Sequence, residues 1–149
     1  MTRSGPLAFL KKRKDPSEKT LIKVPSDTRY IRKVSSGILS GIASYGVDES
    51  RSFDIRLCIE EAVRNAMVHG NCLNKKLHVR TSYWVDKGAL NIEVEDDGCG
   101  FDYGKVADPT AEPHVLKNSG RGVYLIKKLM DKAEYSAKGN KVTMVKMLK

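Results

Sequence analysis

Residues 90–96, Leu90-Asn91-Ile92-Glu93-Val94-Glu95-Asp96, alternate apolar and polar, so Leu90, Ile92 and Val94 face one way and the glutamates the other. Asp96 continues the apolar row. A carboxylate entering a core must find donors, because burying it unpaired is costly. The chain then turns through Asp96-Asp97-Gly98-Cys99-Gly100. Two ways of satisfying Asp96 are open. The backbone of that turn can donate to it, or it can accept from the exocyclic amine of a ligand such as adenine, with Gly98 and Gly100 letting the chain pass close to the ligand. Residues 77–85 alternate in the same way, and Asp86-Lys87-Gly88 between the two runs predicts a β-hairpin with one face buried.

The spacing predicts a helix over about 48–69, with Asp48 or Ser50 near its start and Gly70-Asn71 supplying the left-handed residue that stops it. At 100° per residue, Glu61, Asn65 and His69 share one stripe, while Arg56, Glu60 and Arg64 form a charged face pointing elsewhere. Glu61 and Asn65 fit a surface pair one turn apart. They also fit a hard-cation site in which the Asn oxygen is a Mg²⁺ ligand and the carboxylate is left over as a base. A third cluster, Ser119-Gly120-Arg121-Gly122-Val123-Tyr124-Leu125-Ile126, leads small residues into a helix over 120–130. It reads either as a phosphate-binding helix start or as a loop needing positive φ.

The remaining segments are a strand at 21–24 closed by Pro25, a helix from Ser26 or Asp27 through Ile42 ended by Gly46, a loop over 102–119, and strands at 133–137 and 142–148. Mostly antiparallel strands with segregated helices imply an α+β fold, a two-layer sandwich with the sheet covered on one face by helices. A chain of 149 residues, 40% hydrophobic, fits one globular domain.

Residues 1–23 hold seven Lys/Arg against two acidic residues, +5 of the formal +9, so 1–19 read as a basic, disordered tail and 20–149 as the domain. One short basic cluster without interleaved aromatics does not make a nucleic-acid protein. No apolar run reaches membrane-span length and no secretory signal opens the chain, so a cytoplasmic protein without a membrane span is expected. Cys58, Cys72 and Cys99 have neither disulfide nor zinc spacing and read as reduced thiols.

In this order and spacing the three clusters resemble the GHKL ATPase family, whose Bergerat fold binds ATP between a helix layer and an antiparallel sheet. Residues 61–70 resemble its N box, 96–100 its G1 box and 120–126 its G2 box. The His69-Gly70 ending, the compact segment 101–110 and residues 122–131 most resemble the anti-sigma-factor serine/threonine kinases. The resemblance implies ATP and Mg²⁺ as cofactors, Glu61 as general base, Asn65 as Mg²⁺ ligand and Asp96 as adenine contact. It also implies that Gly98, Gly100, Gly120, Arg121, Gly122 and Val123 form the nucleotide pocket and lid. Asn140 stands where the family commonly has a threonine beside the adenine.

By the same resemblance the substrate is a STAS-domain anti-sigma-factor antagonist, the second partner is a sigma factor, and the kinase is a homodimer that makes no direct nucleic-acid contact. Two alternatives share these boxes. One is a stand-alone histidine-kinase-like catalytic domain, and the other is an ATP-gated module that sequesters a partner without phosphorylating it.

Overall fold

The computed structural model describes residues 17–98 and 118–149, without the side chains of 118–121. The tail expected over 1–19 falls largely on residues 1–16 and the lid expected over 101–119 largely on 101–117, all outside the described residues; Asn118 and Ser119 already belong to a helix. Among the described residues five strands form one antiparallel sheet: β1 (Thr20–Pro25), β2 (His78–Asp86), β3 (Ala89–Asp96), β4 (Lys132–Tyr135) and β5 (Lys141–Met147), in the order β1-β2-β3-β5-β4. The expected α+β sandwich is the observed fold.

The β2–β3 hairpin turns through Lys87 and Gly88, both at positive φ (52° and 79°). Two consecutive left-handed residues match the right-handed twist of the strands, and this turn sets the register in which Val79 faces Asp96 and Thr81 faces Val94. Period two then sends Val79, Thr81, Val85, Leu90, Ile92, Val94, Asp96, Val142 and Met144 to one buried face.

Among the described residues three α-helices cover that face: α1 (Ile31–Gly41), α2 (Glu49–Asn65) and α3 (Asn118–Leu129). Asp27 and Asp48 begin the first two segments by accepting from the N–H groups of Arg29 and Arg51, at 3.1 and 2.7 Å. A 3-10 turn, Thr28–Tyr30, intervenes before α1. Ile31, Val34 and Ile38 of α1, and Ile55, Cys58, Ile59, Ala62 and Val63 of α2, put apolar side chains on the sheet. Burial pushes the Cys58 thiol up to about 12, and Cys58 and Cys72 are both free, as their spacing predicts.

The end of α2 departs from expectation. Residues Ala66–Gly70 form a π turn, closed by the Asn71 N–H donating to the Ala66 carbonyl at 2.9 Å. The left-handed residues that stop the helix are Cys72 and Leu73 (φ 53° and 57°), not Gly70 or Asn71.

Candidate active site

Asn65 lies on the buried stripe of α2 and is 4% exposed. Its carboxamide has no hydrogen-bond partner among the described residues. One turn earlier, Glu61 is half-buried and Arg64 holds its Oε2 at 3.0 Å. Arg64 therefore reaches back to the site instead of joining the face of Arg56 and Glu60. That leaves Oε1 toward α3. A methyl group built on Gly122 would stand 2.9 Å from Glu61 Oε1 and 3.0 Å from Asn65 Nδ2. Gly122 thus brings the first turns of α3 onto the Glu61–Asn65 pair, and a side chain there would intrude on both.

The neighbouring carboxylate has a different task. Glu60 Oε2 accepts from the buried Ser35 hydroxyl at 2.7 Å and pairs with Arg56 at 3.4 Å, fastening α2 to α1. Of two adjacent glutamates, one is consumed by helix packing and the other faces the site.

The second half of the site sits at the end of β3. Asp96 is 2% exposed, and its Oδ1 accepts from the Gly98 N–H at 2.9 Å. Its Oδ2 accepts no hydrogen bond among the described residues. A methyl on Gly70 would overlap this carboxylate, and one on Gly98 would overlap the Gly70 carbonyl. The G1 turn is therefore pressed against the end of α2. Burial raises the Asp96 carboxyl from 3.8 to about 6; the Asp97 and Glu95 carboxylates add to the rise, and the Gly98 N–H and Arg80 oppose it. Asp97 is held in its ordinary charged form and below the usual carboxylate range, first by the His78 N–H and then by Arg80, 2.7 Å away.

Asn140 is engaged by the protein itself. Its Nδ2 donates to the Asp96 carbonyl at 3.3 Å, its backbone carbonyl accepts from the Asp96 N–H at 2.9 Å, and its Oδ1 accepts from the Ser136 hydroxyl at 3.3 Å. It fixes the backbone of Asp96 from the β5 side. Gly120 and Arg121 lie on the backbone of α3, and the Val123 side chain is buried (4% exposed), which leaves its backbone as the part able to face a ligand. Gly100 lies outside the described residues. One residue beside the site escapes sequence reasoning: Arg64, which no period places on it.

The site fits a purine nucleotide on its own chemistry. A buried carboxylate with one oxygen that accepts no hydrogen bond among the described residues suits an amine donor, and a buried amide with no partner among those residues suits a cation or a polar ligand group. The backbone of Gly122 lies close against both side chains, with no Cβ to come between them.

Helices on one face of this antiparallel sheet, with these groups held between the layers, define the GHKL class of nucleotide folds. Residues 24–146 match the family described as "Histidine kinase-like ATPase domain", and the chain belongs to that family. Serine-protein kinase RsbW of Bacillus subtilis (strain 168), and likewise that of Bacillus velezensis, is 31% identical over 137 residues, covering 85% of this chain and 84% of the relative. RsbW of Staphylococcus aureus (strain Newman) is 24% identical over 136 residues, covering 86% of each chain. The chain is thus a member of the RsbW serine-protein kinase family. The crystal structure of the RsbU and RsbW domains of Rv1364c from Mycobacterium tuberculosis shares the fold, with a TM-score of 0.64 at 21% identity over 92% of this chain. This chain spans 34% of that longer one. Among the described residues no helix is long and apolar enough to cross a membrane.

Proposed function

We propose that this chain is an ATP-dependent serine/threonine protein kinase that acts as an anti-sigma factor and phosphorylates a STAS-type anti-sigma-factor antagonist. The observation that carries the reading is the Glu61–Asn65 pair beneath Gly122: a carboxylate oxygen and a buried amide without a partner among the described residues, one helical turn apart, facing the same glycine. A module that only binds a partner has no use for a base at that place.

In this reading Asp96 accepts from the adenine amine, and Gly98, Gly100, Gly120, Arg121, Gly122 and Val123 contribute the walls and lid over the phosphates. Asn65 holds Mg²⁺ through its amide oxygen; the ion, when bound, neutralises phosphate charge and orients the γ-phosphoryl group. Glu61 Oε1 accepts the proton of the incoming serine or threonine hydroxyl. The new bond forms between that hydroxyl oxygen and the γ-phosphorus, the bond to the bridging oxygen breaks, and ADP carries away the electron pair. A sigma factor is the second partner, and the kinase acts as a homodimer.

The test incubates the purified chain with labelled Mg·ATP and the STAS-type antagonists of its own genome, with Glu61→Gln alongside. Label on a serine or threonine of one antagonist, lost in the variant, supports the kinase. ATP binding without transfer to any antagonist favours the sequestering module.

A further inference from the structure

We propose that Asn71 is a positioning residue for recognition of the nucleotide base, acting through the turn that carries Asp96. Asn71 follows the π turn and is 2% exposed. Its Nδ2 donates to the Ser26 hydroxyl at 2.7 Å and to the His78 carbonyl at 3.0 Å, and its Oδ1 accepts from the Asp97 N–H at 2.9 Å. Only an amide in this orientation can donate to a carbonyl at one end and accept from an N–H at the other, so the network fixes its rotamer. The backbone of Asn71 is engaged as well, donating to the Ala66 carbonyl and accepting from the Asn74 N–H at 3.0 Å.

Four segments meet at this one buried side chain: the end of β1, the end of the helix that bears Glu61 and Asn65, the first residue of β2, and the exit of β3. Asp97 is the neighbour of Asp96, and its other fastenings, the His78 N–H and Arg80, act on its side chain. The Asn71 oxygen is what holds its backbone. With that bond in place the G1 turn stays pressed on Gly70, and Asp96 Oδ2 keeps a fixed direction. Without it an N–H loses its partner and the turn is free to move away from the helix. The loss falls on the base contact, since the phosphate side of the site is carried by α2 and α3.

The inference rests on the assignment of Asp96 to an adenine amine, and inosine triphosphate, which carries a carbonyl in place of that amine, separates the two. The experiment measures dissociation constants of the full chain for ATP and inosine triphosphate in the wild type, Asn71→Ala, Asn71→Asp and Ser26→Ala, with amide exchange at Asp97. Wild type prefers ATP. In Asn71→Ala the ATP constant rises about tenfold while that for inosine triphosphate moves by less than about twofold, the loss expected for one buried hydrogen bond. Asn71→Asp keeps the acceptor for the Asp97 N–H but turns a carboxylate oxygen onto the His78 carbonyl, and shifts ATP at least as far as Asn71→Ala; Ser26→Ala, which removes only one partner of the amide, shifts ATP in the same direction by less and carries the comparison if the Asn71 variants do not fold. The Asp97 amide exchanges faster in each. Equal weakening of both nucleotides, or no change in either, overturns the role of Asn71. A wild type that does not distinguish the two nucleotides overturns the Asp96 assignment, and the inference with it.

Discussion

The Asp96 carboxylate lies directly on the Cα of Gly70, leaving no room for a methyl group between the end of α2 and the end of β3. This contact joins the two halves of the candidate site, because Gly70 closes the helix that carries Glu61 and Asn65 while Asp96 closes β3, the strand to which the proposed base contact belongs.

Gly70→Ala therefore displaces Asp96. The expected result is an ATP dissociation constant raised at least about tenfold, with unfolding stability lowered by about 1–3 kcal/mol as the overpacked contact relaxes. Calorimetric titration and denaturant unfolding measure the two. Wild-type affinity in the variant would show that the helix end and the G1 turn move independently.

That contact was only partly readable from sequence. The parity of residues 90–96 put Asp96 on the buried face, and the structure agrees, because strand period two is a rigid geometric fact. The Gly70 side of the contact was assigned to helix termination, since local propensity sees a glycine after a helix and not a carboxylate arriving from a strand 26 residues later. The π turn escaped for a related reason: no residue between Ala66 and Gly70 demands it, and it forms where the chain must meet β3. Arg64 was placed on the solvent face by the 100° rule, which describes Cα–Cβ directions and not the reach of a long side chain. The helix starts near Asp27 and Asp48, with Ser26 and Ser50 as the alternatives the sequence leaves open, and the turn at Lys87-Gly88 are legible, because each is decided within a few residues; Asp27 caps the 3-10 turn that precedes α1.

The buried Asp96 carboxyl, raised to about 6, makes apo stability and nucleotide affinity respond to pH in opposite directions. A folded-state value above the unfolded 3.8 means that the native state holds the proton more tightly, so the Asp96 contribution to stability improves as pH falls from about 6 toward 4 and is unfavourable above 6. Asp96→Asn is then more stable than wild type by roughly 1–2 kcal/mol at pH 7.5, and the difference vanishes near pH 4. ATP affinity of the wild type falls below pH 6 as the acceptor becomes protonated, and Asp96→Asn binds ATP weakly at every pH. Denaturant unfolding of both proteins across pH 4–8 checks the sign; a wild type stabilised relative to the variant at pH 7.5 refutes it.

The pair between Glu61 and Arg64 is partly exposed and contributes little to folding. Glu61→Gln should change unfolding stability by less than about 0.5 kcal/mol, the scale of a screened ion pair on a helix. Phosphoryl transfer should nevertheless drop by about 100-fold or more, the contribution of a general base, with ATP binding retained. Transfer within about threefold of wild type would take Glu61 out of the role of base.

Gly122 separates stability from activity most cleanly. It lies inside α3, where glycine costs a helix about 1 kcal/mol relative to alanine. On propensity alone Gly122→Ala should stabilise the protein. Its methyl would stand 2.9 Å from Glu61 Oε1 and 3.0 Å from Asn65 Nδ2, closer than ordinary side-chain contacts, so both must shift. A displacement of a few tenths of an ångström is tolerable to packing and harmful to a base that has to meet a hydroxyl within hydrogen-bonding distance. The expected variant unfolds at the same or slightly higher denaturant concentration and transfers phosphate about 10- to 100-fold more slowly. Its ATP affinity is expected to change less than its rate, because Asp96, the proposed adenine contact, lies at the other end of the candidate site. If stability and transfer fell together, the glycine would be a packing requirement of α3 and nothing more. A stable but slow enzyme would mean that the site keeps a helix-weakening residue because Glu61 needs the space.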